Sequence, residues 1–376
     1  MMMKKIYKHL SSFLFLAIVA VLLLLFIVMP KESYSSNEKR ELSDFPELTW
    51  SAVADGSFGT KFETYLSDHF PFRNFFVGLN AYYQQLLGNN GATGIYNAKD
   101  GYLISKPEKF NAERLARNIG YFTKFAEKNG LTAVLLAVPS PGAMLEDKLP
   151  AVHEEYADEK AFEIIKNELT DSIAFTDMRE AFCTSEEQIY YRTDHHITTA
   201  GSYLCYRALA DKLGIVPTER DAYTIETHDG FYGTTYSRSG LWFSAPDTVE
   251  MWKKQDLRVS VAVSEDGSEE VLHDGLFFTD HLQEDDQYPV FLDGNHGYSH
   301  IRNENSDGGK LLIIKDSYAH CMTCFLSEHY SDIYLIDLRY YKLPLSTLVE
   351  EKEIDSLLFV YGIDNLMTDS NIAWLS

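Results

Sequence analysis

Twenty consecutive residues, Leu10 to Met29, carry no charge, no proline and no glycine. At ~1.5 Å rise per residue, a helix of this length crosses the ~30 Å hydrocarbon layer of a bilayer. Lys4, Lys5 and Lys8 precede the run, so basic residues flank it on one side only. That asymmetry predicts a cytoplasmic N-terminus and an exported remainder. The run exceeds the ~7–15 residues of a signal-peptide core, and no A-x-A cleavage site follows it. An uncleaved single-pass anchor is therefore expected over residues 1–30, with the bulk of the chain extracytoplasmic.

Beyond the anchor, most of the 376 residues remain, enough for one large domain with elaborations or two small ones. The formal net charge is −23, and the exported part is more negative still because three lysines precede the anchor. Such a surface repels phosphate backbones, which argues against nucleic acid as a partner. Strongly anionic wall polymers are repelled for the same reason unless cations intervene. Four cysteines in so long a chain are not a disulfide framework. Cys321 and Cys324 form a C-x-x-C, but Ala319-His-Cys-Met-Thr-Cys-Phe-Leu reads as a buried helix start. Packed thiols are expected there rather than redox chemistry. No second C-x-x-C is present to complete a zinc site.

Residues 31–57 are polar and read as a juxtamembrane tether. Helical spacing runs from Phe58 to about Leu87, broken at Pro71. Turn signals then surround short strands at Ile95-Tyr96 and Tyr102-Leu103. From there an alternation sets in. A helix is predicted over 111–129, ended by Gly130, and an apolar strand follows over Thr132–Val138. A helix at 161–169, a strand at 173–176 and a helix at 199–213 come next, the last ended by Gly214. From about 216 to 309 the pattern changes to short strands with many Gly, Asp and Ser. Strands return at 311–315, 333–338 and 356–361, with a helix near 345–352. Apolar strands alternating with helices predict a parallel sheet covered on both faces. The expected organisation is an α/β domain over 58–376 with a β-rich insertion at about 216–309.

Two segments can carry chemistry. In Thr193-Asp-His-His196, residues i and i+2 of an extended strand project to one side. Asp194 and His196 are then expected to share a side, with His195 facing away. A carboxylate beside an imidazole fixes its tautomer and stabilises the imidazolium, as a general base requires. Asp-His-His also offers metal-ligand types, although only two of the three are expected to point one way. The second segment is Leu311-Leu-Ile-Ile-Lys-Asp-Ser317. An apolar strand runs into a serine where a helix begins. Such a turn exposes the hydroxyl beside free backbone N–H groups. It follows the logic of a nucleophile elbow without its G-x-S-x-G pattern, and an Asp-Ser here is also an ordinary helix cap.

Together these segments resemble the DHHW proteins, exported relatives of the alginate O-acetyltransferases in the SGNH-hydrolase superfamily. The likeness extends through Arg40 to Phe45-Pro46, Asp68-His-Phe-Pro-Phe-Arg73, Lys99-Asp-Gly-Tyr-Leu103 and Val138-Pro139. It continues through Phe231-Tyr-Gly-Thr-Thr-Tyr236, Lys315-Asp-Ser317 and Asp337-Leu-Arg-Tyr-Tyr341. Ile197 stands where that family usually has Trp. The resemblance implies a three-layer SGNH-like fold and a triad of Ser317 as nucleophile, His196 as base and Asp194 as its orienter. It implies O-acetyl transfer or O-deacetylation on a cell-surface polysaccharide, without a cofactor or a metal. An acetyl donor then has to arrive from elsewhere, and a multipass membrane acyltransferase is the partner the relatives suggest.

Arg339, Tyr340 and Tyr341 follow a predicted strand end and are candidates for substrate or oxyanion contacts. The Ser317 and Tyr318 backbone N–H groups are candidate oxyanion donors, and Asn365 is a further one. His320, one turn into the helix after Ser317, is expected to be structural. Tyr236, Trp242 and Phe243 offer rings that can stack on sugars. Two other classes of function fit the same sequence. One is a non-catalytic surface protein that binds glycan or protein on a degenerate hydrolase scaffold. The other is a zinc hydrolase using Asp194 and the histidines.

Overall fold

The computed structural model describes residues 2–268 and 270–376, and of residues 2–8 the backbone alone. The chain falls into two units, Met1–Asn89 with Gly240–Trp242, and Asn90–Ser239 with Phe243–Ser376.

The first unit opens with helix α1, Met2–Val28. Within it, His9–Val28 is long and apolar enough to cross a membrane. The side chains of Lys4, Lys5 and Lys8, expected on the cytoplasmic side, lie outside the described residues. The following stretch is not a structureless tether. Tyr34–Ser35 pairs with Arg40–Glu41, and a short helix spans Trp50–Ala54. The expected long helix divides into α2, Ser57–Asp68, and α3, Arg73–Leu86. The break spans the four residues that include Pro71, which has no N–H to continue a helix. Asp68 is buried at the break, accepting from the Arg40 guanidinium at 2.5 and 3.1 Å and from the Ser43 N–H at 2.9 Å. Burial opposes this ionised carboxylate, but the stronger hydrogen bond from Arg40 holds it below the usual range. The Arg40 and Asp68 segments singled out in the sequence thus fix each other.

The second unit is built on an eight-stranded sheet. Its strands are β1 Ala133–Val138, β2 Ile173–Asp177, β3 Val259–Ser264 and β4 Val271–Asp274. The others are β5 Tyr298–Asn303, β6 Lys310–Lys315, β7 Asp332–Ile336 and β8 Ser356–Gly362. The order is β4-β3-β5-β7-β6-β8-β1-β2. The five strands from β7 to β2 are parallel, and β5, β3 and β4 add antiparallel pairs at the other edge. The β-rich region is therefore not a separate insertion. Beyond its own hairpin, Tyr223–Phe231 with Asp247–Lys254, it extends the main sheet through β5.

Successive residues of a strand face opposite sides, and each parallel strand feeds two cores. Val134, Leu136, Ile313 and Val360 belong to one. Leu135, Ala137, Ile314 and Phe359 belong to the other. Helices α4 Ala112–Lys128, α5 Asp158–Glu168 and α9 Leu345–Lys352 line the second core. Helices α6 Thr199–Leu213 and α8 Ala319–Leu326 line the first, and the short α7, Thr234–Ser239, lies between them in chain order. Their ends follow from local chemistry. Asn111 caps α4 on the Arg114 N–H, Thr198 caps α6 on the Gly201 N–H, and Gly214 ends α6 at φ 67°.

The β6–β7 connection runs through α8 on one face, and the β7–β8 connection runs through α9 on the other. Chain order thus reverses around β6, which lies between β7 and β8. The carboxyl end of a strand at such a switch point opens a crevice suited to a ligand. Ser317 lies two residues beyond the end of β6.

Candidate active site

Ser317 stands in the three-residue turn between β6 and α8. Asp316 shapes this turn. Its buried carboxylate accepts from the Tyr318 N–H at 3.0 Å, the Gly362 N–H at 2.8 Å and the Asn365 Nδ2 at 2.8 Å. Burial raises its carboxyl above the usual range against those three bonds. The consequence corrects one expectation: the Tyr318 N–H is turned onto Asp316 and is not free for an oxyanion. The Ser317 N–H has no partner among the described residues.

The serine hydroxyl meets the histidine expected from the sequence. Ser317 Oγ lies 2.7 Å from His196 Nε2. His196 Nδ1 lies 2.5 Å from Asp194 Oδ1, which also accepts the His196 backbone N–H at 2.9 Å. The other carboxylate oxygen accepts the Thr234 N–H at 2.6 Å and the Thr234 hydroxyl at 3.0 Å. Burial works against the Asp194 charge, yet the two neighbouring imidazoles and these hydrogen bonds hold its carboxyl well below the usual range. An ionised Asp194 then holds the proton of His196 on Nδ1, leaving Nε2 to accept from Ser317. All three side chains are nearly buried, with Ser317 8% exposed.

Residues distant in sequence complete this arrangement. Tyr288 lies flat on the His196 ring, with centroids 3.8 Å apart and planes 5° apart. The Tyr318 ring meets the same imidazole edge-on at 5.4 Å. Gly233 makes room for Asp194, since a Cβ there would fall 2.1 Å from Asp194 Cβ. Gly362 likewise makes room for the Tyr318 ring. Neither Tyr288 nor Gly233 was singled out for a role by sequence. The only signal for Gly233 and Thr234 was their place in Phe231-Tyr-Gly-Thr-Thr-Tyr236. Ile197 is buried in the first core.

His195 does not face away. Residues 192–196 form a bend, not a strand, so the i, i+2 alternation does not apply to them. The His195 ring lies 3.9 Å from that of His196, and its Nδ1 bonds the Thr234 hydroxyl at 2.7 Å. Burial and the neighbouring His196 push its pKa down to about 4. Asp194, His195 and His196 can therefore bring one ligand atom each within 4.8 Å of one another. Coordination through His196 would, however, break a hydrogen bond to either Asp194 or Ser317.

The other sequence candidates divide. Tyr318 and Asn365 line a cavity of about 260 Å³ beside the triad. Arg339 is committed to Asp337, at 2.9 and 2.6 Å, and to Asn295 at 3.0 Å. Tyr341 is not a site residue: it is buried in the core on the opposite face, stacked on Tyr298. Tyr340 is exposed, with the Arg339 guanidinium over its ring, and no hydrogen bond or ring contact joins it to the triad among the described residues. Trp242 belongs to the first unit, where its indole N–H donates to the Asn74 carbonyl at 2.8 Å. Phe243 is 89% exposed and Tyr236 packs on Tyr232. His320 is buried and bonded to Lys315 Nζ at 2.7 Å. Cys321 and Cys324 are free and buried, and burial pushes both thiols up, Cys321 to about 11. That is the reverse of what a reactive thiolate needs.

A family model described as "DHHW protein" matches residues 160–336. No curated protein matches the chain in sequence. Among solved structures, a DHHW family protein from Eubacterium siraeum is 23% identical with a TM-score of 0.62, covering 76% of this chain and 95% of its own. Bacillus cereus PatB1 is similar in two forms. With a sulfonyl adduct it is 19% identical, with a TM-score of 0.62 and coverage of 74% and 97%. Without it the identity is 17% and the TM-score 0.60, with the same coverage. At these identities the likeness is one of fold. The chain thus resembles the DHHW proteins over residues 160–336, and its α/β fold with a mostly parallel sheet is similar to those of the DHHW family protein and PatB1.

Proposed function

We propose that the chain is a serine-dependent acyl-transfer enzyme, an O-acetyltransferase or O-acetylesterase of a cell-surface glycan, anchored by α1 with its bulk outside the cytoplasm. The observation that carries this reading is the continuous hydrogen-bonded line from Asp194 through His196 to Ser317 at the sheet's switch point. Ser317 Oγ attacks the acyl carbon as His196 Nε2 takes its proton. His196 then returns the proton to the departing alcohol oxygen, leaving the acyl group on Ser317. A second hydroxyl, from water or a sugar, gives its proton to His196 and attacks the acyl-serine; the bond to Ser317 Oγ breaks as His196 returns that proton to it, releasing the product and restoring the serine hydroxyl. The Ser317 N–H is the first oxyanion donor. The Asn365 amide, held beside the turn by Asp316, is the candidate second donor, since an amide nitrogen carries two hydrogens and that bond uses one.

Support comes also from PatB1, whose similar fold has been captured with a sulfonyl adduct. Sulfonylation is the reaction expected of an activated hydroxyl nucleophile. If the acceptor is a sugar, the acyl donor has to be delivered outside the cytoplasm. A membrane acyltransferase partner would meet that need.

The test uses the full-length chain in detergent micelles with a chromogenic acetyl ester. Ser317→Ala is expected to abolish turnover while thermal unfolding stays cooperative. Equal turnover in both chains, or none in either, would favour a non-catalytic glycan-binding protein instead.

A further inference from the structure

Helix α3 is inverted relative to a helix on a soluble surface. Its large apolar residues Phe75, Phe76, Leu79, Tyr83 and Leu86 continue from Phe72 at spacings of 3, 4, 7, 11 and 14 residues, which places them in one ~100° stripe. Such a stripe ordinarily faces the core. Here all six residues are exposed, by 41% to 83%. The buried residues of α3 are Gly78 and Ala81, which are small and lie on the opposite face. The Gly240–Trp242 segment of the same unit crowds that face. A Cβ on Gly78 would fall 2.7 Å from Trp242 Cδ1, and one on Gly240 would fall 3.1 Å from Ala81 Cβ. The inward side is therefore filled, and the described residues leave the stripe uncovered. Phe72 adopts φ 57°, a backbone state that bulky residues rarely take, with its ring exposed.

Position and charge identify what covers it. Phe72 and Phe75 line the same cavity as Met29 and Pro30, the residues that follow the candidate span in α1. The Phe26 ring, in the last turn of that span, meets Tyr65 of α2 edge-on at 6.0 Å. The stripe thus begins where the chain would leave the hydrocarbon. No charged residue occurs from Asn74 to Ala98, in a chain of which 24% of residues are charged. At the start of the stripe Arg73 is paired with Glu38, and Asp68 with Arg40. Aromatic residues gather where a membrane-bound protein meets the headgroups, and a helix with one apolar face lies there with that face buried. We propose that the α3 stripe lies in the headgroup–acyl boundary of the bilayer that α1 spans, as a second membrane contact beside the anchor. This rests on the anchoring by α1 proposed above. With a net charge of −23 on the chain, the contact comes from apolar burial and not from attraction to anionic lipid.

The experiment reconstitutes the full-length chain into phosphatidylcholine vesicles with one NBD fluorophore per chain. Cys183, exposed in the second unit, carries the control label. In a Cys183→Ser background the label sits instead at Ile18→Cys, Phe75→Cys or Leu79→Cys. Each of these replaces an exposed side chain, and Cys205, Cys321 and Cys324 are buried away from the reagent. Emission is read with and without lipids that carry a nitroxide quencher near the headgroup or deep in the acyl chain. The labels at 75 and 79 are expected to lose about half of their emission to the shallow quencher, the label at 18 to the deep one, and Cys183 to neither. Adding phosphatidylglycerol is expected to change none of this. Quenching at 18 without quenching at 75 and 79 would overturn the proposal and leave the anchor standing. Blue-shifted but unquenched emission at 75 and 79 would overturn it too, since it marks a cover of protein, as would quenching that appears only with phosphatidylglycerol. An unquenched label at 18 would remove the anchor, and the proposal with it.

Discussion

An Asp194→Asn chain is expected to lose acetyl-ester turnover by about 10⁴-fold, the scale set by a wrongly held histidine tautomer in a serine triad. The hydrogen bonds around Asp194 say why so small a change is so costly. Both carboxylate oxygens accept a backbone N–H, Oδ1 from His196 and Oδ2 from Thr234. An asparagine has one oxygen, so either placement sets its NH₂ against one of those donors. With the NH₂ toward His196, it donates to Nδ1 and forces the ring proton onto Nε2, which then cannot accept from Ser317. With the NH₂ toward Thr234, the charge that stabilises the imidazolium is still gone. A buried donor left without an acceptor adds a stability cost of about 1–3 kcal/mol. Turnover and the unfolding midpoint, measured together, separate the two effects. Turnover within tenfold of the parent would remove Asp194 from the chemistry.

Gly233→Ala is the second large effect. The added methyl would fall 2.1 Å from Asp194 Cβ and 2.3 Å from Oδ2, and neither can swing away because Asp194 is buried and held by four hydrogen bonds. Overpacking of this kind typically costs about 1–3 kcal/mol. A displacement near 1 Å at a catalytic group costs on the order of 10²-fold in rate. The expected result is a lowered unfolding midpoint together with a turnover loss of at least that size. Gly120→Ala is the control, since its Cβ meets nothing within 4 Å inside α4. Normal turnover in Gly233→Ala would mean that the position of Asp194 does not matter.

Much of the fold was legible because its signals are local. The apolar strands β1, β6 and β8 are buried on both faces and read as unbroken hydrophobic runs. Asn111, Thr198 and Gly214 mark helix ends by chemistry acting within a few residues. Asp194 and His196 do share a side, though through a bend rather than the strand from which the pairing was inferred. That difference is why His195 was misplaced. The Tyr318 N–H was lost to an aspartate two residues earlier, a local turn that Asp316 itself advertises. Other features depend on pairings that no local pattern reveals. Strand β5 joins the β-rich region to the sheet, Tyr288 reaches His196 across 92 positions of sequence, and Gly233 yields space to Asp194. Tyr341 looked like a site residue because it follows β7, but the turn after that strand sends its ring into the opposite core.

The central claim is that Ser317 carries the acyl group, and direct labelling tests it most closely. The full-length chain in micelles would be treated with a slowly turned-over aryl acyl ester or with a sulfonyl fluoride, then digested and read by mass spectrometry. The expected result is one modified peptide, the one containing Ser317, with the label suppressed in both Ser317→Ala and His196→Ala. A label on another residue that persists in Ser317→Ala, or a chain that stays unmodified by either reagent, would contradict it.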